Sequence, residues 1–459
     1  MLRTSGKDFV NEKGEKITLR GQNIGIWGII EPQMFGTPGV EHRLLRAMRI
    51  HAGEEKTNRF FRGVLTKWLT EPDIAFLKEI GCNSIRLPFS YRRLEDDAAP
   101  FEYKEEIFKM MDNVISWCAK REMYVILDMH VVQGYQMGDF CGDNLFEEHS
   151  YLYYDGMAQK RYLELWKVVA ERYKNETWVG GYDLMNEPVA KDRYEVAMLN
   201  KLYRQATEAI RAIDPHHIIF IGGNTWNQDF DEMDSPFTDN LAYTPHYYCI
   251  SAVRPGQYPG ADPDSGEWCD LEAMKVEFTK RDRFMEKHNV PCWIGEFGAR
   301  RYDDIEGKHR ALRDYFTVIN ERGHSWSYWC FKDLSFRGPL YVSPDSPWCE
   351  FIKDMEKLKE KYKTDRGTAF GEGWDISSVF SDYQPDDFVW DRKTVEDHLI
   401  RNMRETLSDM LTMTFAKKFA TLSNEKIDAL TDSFLFENCA KYEPWIEIFK
   451  EVSKYEEEK

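Results

Sequence analysis

Eight short apolar segments, most of them separated by amphipathic helical stretches, recur along most of the chain. They are "EKITLRGQNIG", "CNSIRLPFS", "MYVILDMH", "GGYDLMNEP", "HHIIFIGGN", "NLAYTPHYY", "CWIGEFGA" and "SWSYWCFKD". A hairpin-like "VNEKGEKI" leads into the first. Helical apolar spacing marks "EPDIAFLKEI" before the second strand, "EEIFKMMDNVISWCAKR" before the third and "AQKRYLELWKVVAERYKN" before the fourth. The same spacing marks "VAMLNKLYRQATEAIRAI", "LEAMKVEFTKRDRFMEKH" and "KHRALRDYFTVINER" before the fifth, seventh and eighth; the connection from five to six is less clearly helical. Short strands that alternate with helices form a parallel sheet covered on its faces. Eight such units predict an α/β chain folded as a closed (β/α)8 TIM barrel.

Two regions fall outside the repeat. Gly36 to Thr66, rich in Arg, Phe and Met, is an insertion after strand one and is expected to form a partly helical cover. After the last barrel helix, "SPWCEFIKDMEKLKEKYK", the chain continues. Residues 1–365 are therefore expected to be the barrel and 366–459 a helical C-terminal extension, because "DRKTVEDHLIRNMRETLSDMLTMTFAKKFATL" and "NEKIDALTDSFLFENCAKYEPWIEIFKEVSKYE" carry helical apolar spacing. The extension is expected to pack on the barrel or to join copies of the chain into a homo-oligomer.

Composition excludes several classes. A net charge of −18 disfavours nucleic acid as a partner. No apolar run approaches membrane-spanning length, so no membrane partner is expected. The start "MLRTSGKDFV" lacks the apolar core of a signal peptide, and a cytoplasmic location is expected. Nine cysteines without a CxxC pair argue against a disulfide framework or a zinc ribbon. Cys82, Cys249, Cys292 and Cys330 lie in strand-like runs and read as small buried thiols. "DFDEMD" makes no EF-hand loop, and no HxH follows strand one, so no metal or other cofactor is expected.

The ends of the strands carry the chemistry. In barrels of this kind, polar residues at the carboxyl ends of strands line the active site. Strand four reads as core and then delivers Asn186 and Glu187, with Pro188 stopping the strand. Strand seven ends in Glu296. Two carboxylates facing each other across the mouth suit glycosidic bond hydrolysis, one protonating the leaving oxygen and the other attacking the anomeric carbon or activating water. Arg86, His130, His246 and Tyr248 end strands two, three and six and can hold the two acids in place; Trp329, ending strand eight, offers a face to a sugar ring. The rim aromatics Trp27, Phe60, Phe61, Tyr135 and Trp226 read as packing.

"LRGQNIGIWGIIEP", "GCNSIRLPFSY", "YVILDMH", "YDLMNEP", "PHYY" and "WIGEFGA" together resemble glycoside hydrolase family 5, in order, over roughly residues 8–365. The resemblance implies a retaining β-glycosidase with Glu187 as acid/base and Glu296 as nucleophile. It also implies that Asn186 contacts the sugar 2-hydroxyl, that Arg86 and Tyr248 support Glu296, and that His130, His246 and Trp329 shape the −1 subsite. The strand-one motif is most similar to the exo-β-glucanase and β-glucosylceramidase groups, although the loop "HVVQGYQMGDF" and Phe297 depart from them. The expected substrates are short β-linked gluco- or manno-oligosaccharides or small β-glycosides. The alternatives are an endo-acting β-glucanase or β-mannanase and a non-catalytic carbohydrate-binding barrel.

Overall fold

The computed structural model describes residues 1–144, 150–261, 266–301, 304–334, 336–364 and 392–457. Barrel strands are β1 (Arg20–Asn23), β2 (Ser84–Ser90), β3 (Tyr124–Val131), β4 (Val179–Asp183), β5 (Ile218–Ile221), β6 (Leu241–Tyr243), β7 (Trp293–Ile294) and β8 (Ser325–Tyr328). They pair in parallel from β6 back through β5, β4, β3, β2 and β1 to β8 and β7. A parallel bridge between Tyr243 and Cys292 joins the two edges, and a short pair of His246–Tyr247 with Glu296–Phe297 extends this junction. The expected TIM barrel is what the chain forms.

Strands six and seven differ from their sequence reading in one respect. Each is interrupted, at Thr244–Pro245 and at Gly295, so that its polar end is a separate short strand. Proline supplies no N–H for the ladder. At Gly295 a Cβ would stand 2.1 Å from Thr244 Oγ1 and 2.9 Å from His246 Nε2, so only glycine lets the two strand ends close on each other.

The N-terminal hairpin becomes a three-stranded antiparallel sheet of Arg3–Ser5, Asp8–Val10 and Lys16–Ile17. Its Phe9 packs with Leu2 and Leu19 against Ile126, Ile218, Phe220 and Trp293 and plugs the barrel floor. The outer helices are α1 (Glu41–Lys67), α2 (Glu71–Glu79), α3 (Glu105–Ala119), α4 (Gly156–Tyr173), α5 (Arg193–Arg211), α6 (Leu271–His288), α7 (Ile305–Arg322) and α8 (Pro347–Lys361). Between β5 and β6 only the short turn Asn224–Asn227 is helical.

The insertion is largely α1, which bends at Gly53. Helices α9 (Arg392–Ala420), α10 (Asn424–Asp432) and α11 (Glu443–Glu457) follow; residues 366–391 and 458–459 of the expected extension lie outside the described residues. Helices α9 and α10 lie against α1, and α11 lies against α7. Phe434 meets Phe35, Trp68 and Trp348 at ring-centroid distances of 5.4, 5.1 and 5.5 Å. Phe60 and Phe61 pack in this same cluster, and Trp27 donates its indole N–H to Leu65 O at 2.9 Å. The strand Cys439–Lys441 pairs antiparallel with Leu340–Val342. Buried Lys332 ties the seam, its ammonium 2.7 Å from Asp73 Oδ1 and donating to the carbonyls of Trp68 and Phe434.

One cysteine reading is corrected. Cys249, expected as a thiol, is joined to Cys269 in a disulfide. The chain leaves the end of strand six and returns through the short antiparallel pair Gly260–Ala261 and Trp268–Cys269, which brings the two sulfurs together. Cys82, Cys292 and Cys330 are buried free thiols as read.

Candidate active site

The barrel gathers Glu187, Glu296, Arg86, His130, Asn186, His246, Tyr248 and Trp329 at the carboxyl ends of its strands. Glu187 sits just past β4 with a left-handed backbone, φ 45°. A non-glycine residue is rare there, and such strain is held where surrounding structure dictates it. Two backbone bonds fix this turn: Asn186 N donates to Met129 O, and Val189 N donates to Gln136 O.

Arg86 is fully buried and organises the floor of the site. Its Nη1 donates to Glu296 Oε1 at 2.7 Å and to Asn23 Oδ1 at 3.1 Å. Its Nη2 donates to Asn186 Oδ1 at 2.9 Å and lies 3.1 Å from Asp128 Oδ1, and its Nε donates to Asp183 Oδ2 at 2.9 Å. Burial opposes its charge, but the carboxylates of Asp128, Asp183 and Glu296 outweigh burial and hold the guanidinium protonated. Burial pushes Asp128 and Asp183 up to about 7 against the pull of Arg86.

Glu296 is the better-supported acid. Its Oε2 accepts the Tyr248 hydroxyl at 2.8 Å, in addition to the Arg86 bond on Oε1. Burial raises its pKa, while Arg86, His130 and Tyr248 pull it back. Glu187 Oε1 is met by His246, whose Nδ1 lies 2.8 Å away. Asn227 Nδ2 lies 3.2 Å from His246 Nε2. With Asn227 donating there, the imidazole proton sits on Nδ1 and points at Glu187. Burial first, then Arg86 and His130, drive His246 well below its ordinary pKa, so it is neutral. Glu187 therefore has no cation in contact. Burial, the charge of Glu296 and that of Glu31 raise it well above the carboxylate range.

The remaining residues form an oriented chain. His130 Nδ1 donates to Asp128 Oδ2 at 2.7 Å, and its Nε2 accepts from Asn186 Nδ2 at 3.0 Å. Burial pushes His130 down to about 4, which keeps it neutral. The Asn186 amide is thus fixed, with its oxygen toward Arg86 and its nitrogen toward His130. Trp329 stacks on His130 at 5.3 Å and lines the cleft.

A cleft of about 800 Å³ opens above the pair. Glu31, Gln33, Asp139 and Phe140 wall one part; Trp226, Trp268 and Val276 stand in another. Trp226, read as packing, is half-buried and faces this cleft; Tyr135 is half-buried and takes Arg92 Nη2 on its hydroxyl at 2.7 Å. The sequence reading missed Asn23, Asp128 and Asp183, which brace Arg86, and Glu31, a further buried carboxylate that lines the cleft. A signal for two of them was present: an Asp inside an otherwise apolar strand needs a cation or donor. Glu187, His246 and Glu296 also bring one donor atom each within 4.8 Å of one another, the spacing of a metal triad. Both oxygens of Glu296 already accept hydrogen bonds, which makes the trio a poor cage for an ion.

Paired carboxylates at the ends of strands four and seven of a (β/α)8 barrel, one held by arginine and tyrosine and one without a cation, define an O-glycoside hydrolase. The family model "Cellulase (glycosyl hydrolase family 5)" matches residues 52–335. The chain belongs to glycoside hydrolase family 5. A β-xylosidase of Phanerodontia chrysosporium is 33% identical over 473 residues, covering 95% of both chains. Endoglucanase C of Acetivibrio thermocellus is 30% identical over 59% of this chain and 85% of its own. A solved glycoside hydrolase shares the fold at a TM-score of 0.54, with 21% identity over 70% of this chain and 90% of its own.

Proposed function

We propose that the chain is a retaining, exo-acting β-glycosidase of short β-linked saccharides and small β-glycosides. The observation that carries this reading is the asymmetric pair: one carboxylate oxygen of Glu187 and one of Glu296 lie within 4.8 Å of each other, and only Glu296 is held by a cation. Retaining enzymes place their carboxyl groups about 5–5.5 Å apart, whereas inverting ones leave about 6.5–9.5 Å for a water.

In the first step Glu296 attacks the anomeric carbon, and Glu187 gives its proton to the glycosidic oxygen as that bond breaks. A glycosyl ester on Glu296 results. Glu187, now a carboxylate, takes a proton from water; the water oxygen bonds to the anomeric carbon and Glu296 leaves. Two inversions return the β-configuration. Arg86 and Tyr248 keep Glu296 ionised before attack and stabilise it as it departs. The Asn186 amide meets the sugar 2-hydroxyl, and Trp329 with His130 backs the ring.

The relative that matches along nearly its whole length is named a β-xylosidase, so a pentoside joins the gluco- and manno-configured substrates expected from the sequence. Hydrolysis of 4-nitrophenyl β-xyloside, β-glucoside and β-mannoside, followed by the matching oligosaccharides, tests the reading. Release of one sugar at a time from the chain end supports it; mixed-length products would favour the endo-acting alternative that the endoglucanase relative suggests. Among the described residues no helix is long and apolar enough to cross a membrane. The Cys249–Cys269 bridge favours an oxidising compartment over the cytoplasm expected from the sequence.

A further inference from the structure

The first turn of α1 grips both loops that wall one part of the cleft. Glu41, almost fully buried, accepts the Ile30 N–H on Oε2 at 2.7 Å and pairs with Arg93 through Oε1 at 2.6 Å. The next residue, His42, donates its backbone N–H to Asp143 Oδ1 at 2.9 Å and its Nδ1–H to Asp143 O at 2.8 Å. Ile30 immediately precedes Glu31, and Asp143 closes the turn that Asp139 begins. Glu31 and Asp139 line the cleft with Glu187 and Glu296.

The same turn is anchored from behind. Ser408 on α9 donates to Pro38 O, and a Cβ on Gly39 would stand 2.3 Å from Thr412 Oγ1. Lys56 donates to the carbonyls of Ala420 and Leu422, and Lys67 donates to Thr431 Oγ1 on α10. The family model covers 52–335 only, which leaves out both the first turn of α1 and the C-terminal helices that back α1. The β-xylosidase relative matches over 95% of the chain.

We propose that Glu41 and His42 are positioning residues: they hold the Glu31 and Asp139 wall against the catalytic pair, and the C-terminal helices serve to keep them there. The proposal rests on the reading of Glu187 as the acid. The charged groups that act on Glu31 are Arg300 and Asp139, with the neutral His130 beside them, and those that act on Glu187 are Glu296, Glu31, Arg86 and Asp139. The negative wall helps to keep Glu187 protonated, so a wall that drifts away lets Glu187 lose its proton at lower pH.

The test is a set of pH–rate profiles on the fastest aryl β-glycoside of the panel, for Glu41→Ala, Glu31→Gln and the double variant, with melting temperatures alongside. Glu41→Ala is expected to lower kcat/KM about ten- to a hundredfold, the scale of a small misplacement. Its alkaline limb should move to lower pH, in the direction that Glu31→Gln moves it, and the double variant should be no worse than Glu31→Gln alone. A melting temperature that falls while the alkaline limb stays put, or losses that multiply in the double variant, would overturn the proposal. If Glu41→Ala does not fold, Glu41→Asp is read in its place. Its shorter side chain keeps the charge but cannot span Ile30 and Arg93; a displaced limb supports the proposal and a wild-type limb overturns it. Glu187→Ala separates the two claims. It should abolish the alkaline limb, and if it does not, the acid assignment fails, while the coupling of Glu41 to Glu31 is still read from KM against kcat.

Discussion

At the scale of residues, two glutamates with the same chemistry are set apart by what touches them. Glu296 has Arg86 and Tyr248 at hydrogen-bond distance, and Glu187 has a neutral imidazole. If Glu296 is the nucleophile as proposed, Glu296→Ala should abolish turnover with the fold intact, and added azide should then yield the α-glycosyl azide from a β-glycoside. Near wild-type turnover in that variant would show the assignment to be wrong. Glu187→Ala should cost about 10²–10⁴-fold on substrates with poor leaving groups and far less on activated aryl glycosides, because only the former need the proton. Leaving-group dependence measured across a phenol series checks this. The pH profile has a defined sign. Activity falls as pH rises through the raised pKa of Glu187, since the acid is then deprotonated, and falls as pH drops and Glu296 takes a proton. Both groups are raised from 4.5, so both limbs should lie above that pH.

At the scale of elements, the junction of strands six and seven is the part most sensitive to a single methyl group. Gly295→Ala puts a carbon against Thr244 and His246 and should cost about 1–3 kcal/mol of stability, with a larger fall in activity than in melting temperature because Glu296 and His246 both move. Thermal unfolding and turnover measured on one preparation decide it; an unchanged activity would mean that the junction flexes. The barrel was legible in the chain because alternation of apolar strands and helices leaves few other ways to cover a parallel sheet. The strand-end residues Arg86, Asn186, Glu187 and Glu296 were legible for the same reason, since a strand end has one address. Glu31 was not, because its place depends on the bond of the preceding Ile30 to Glu41 and on the pairing of Glu41 with Arg93 farther along the chain, and no local pattern encodes those contacts. Nor was the Cys249–Cys269 bridge, which depends on how a loop returns across the rim. Trp226 was read as packing because spacing does not distinguish an aromatic facing a cleft from one facing a core.

At the scale of the whole molecule, the extension and the barrel share one apolar core, with Phe434 and Phe419 inside the cluster of Phe35, Phe60 and Trp348. Truncation after Thr364 uncovers those rings and should give insoluble or self-associated protein; a soluble, fully active monomer would contradict this, and size-exclusion chromatography with an activity assay distinguishes the outcomes. The central claim concerns the chemistry that this whole assembly serves, a double displacement across Glu187 and Glu296. Proton NMR of the first turnovers on a β-glycoside tests it most directly. The β-anomer should appear first and then mutarotate; an initial α-anomer would contradict retention and remove the nucleophile role from Glu296.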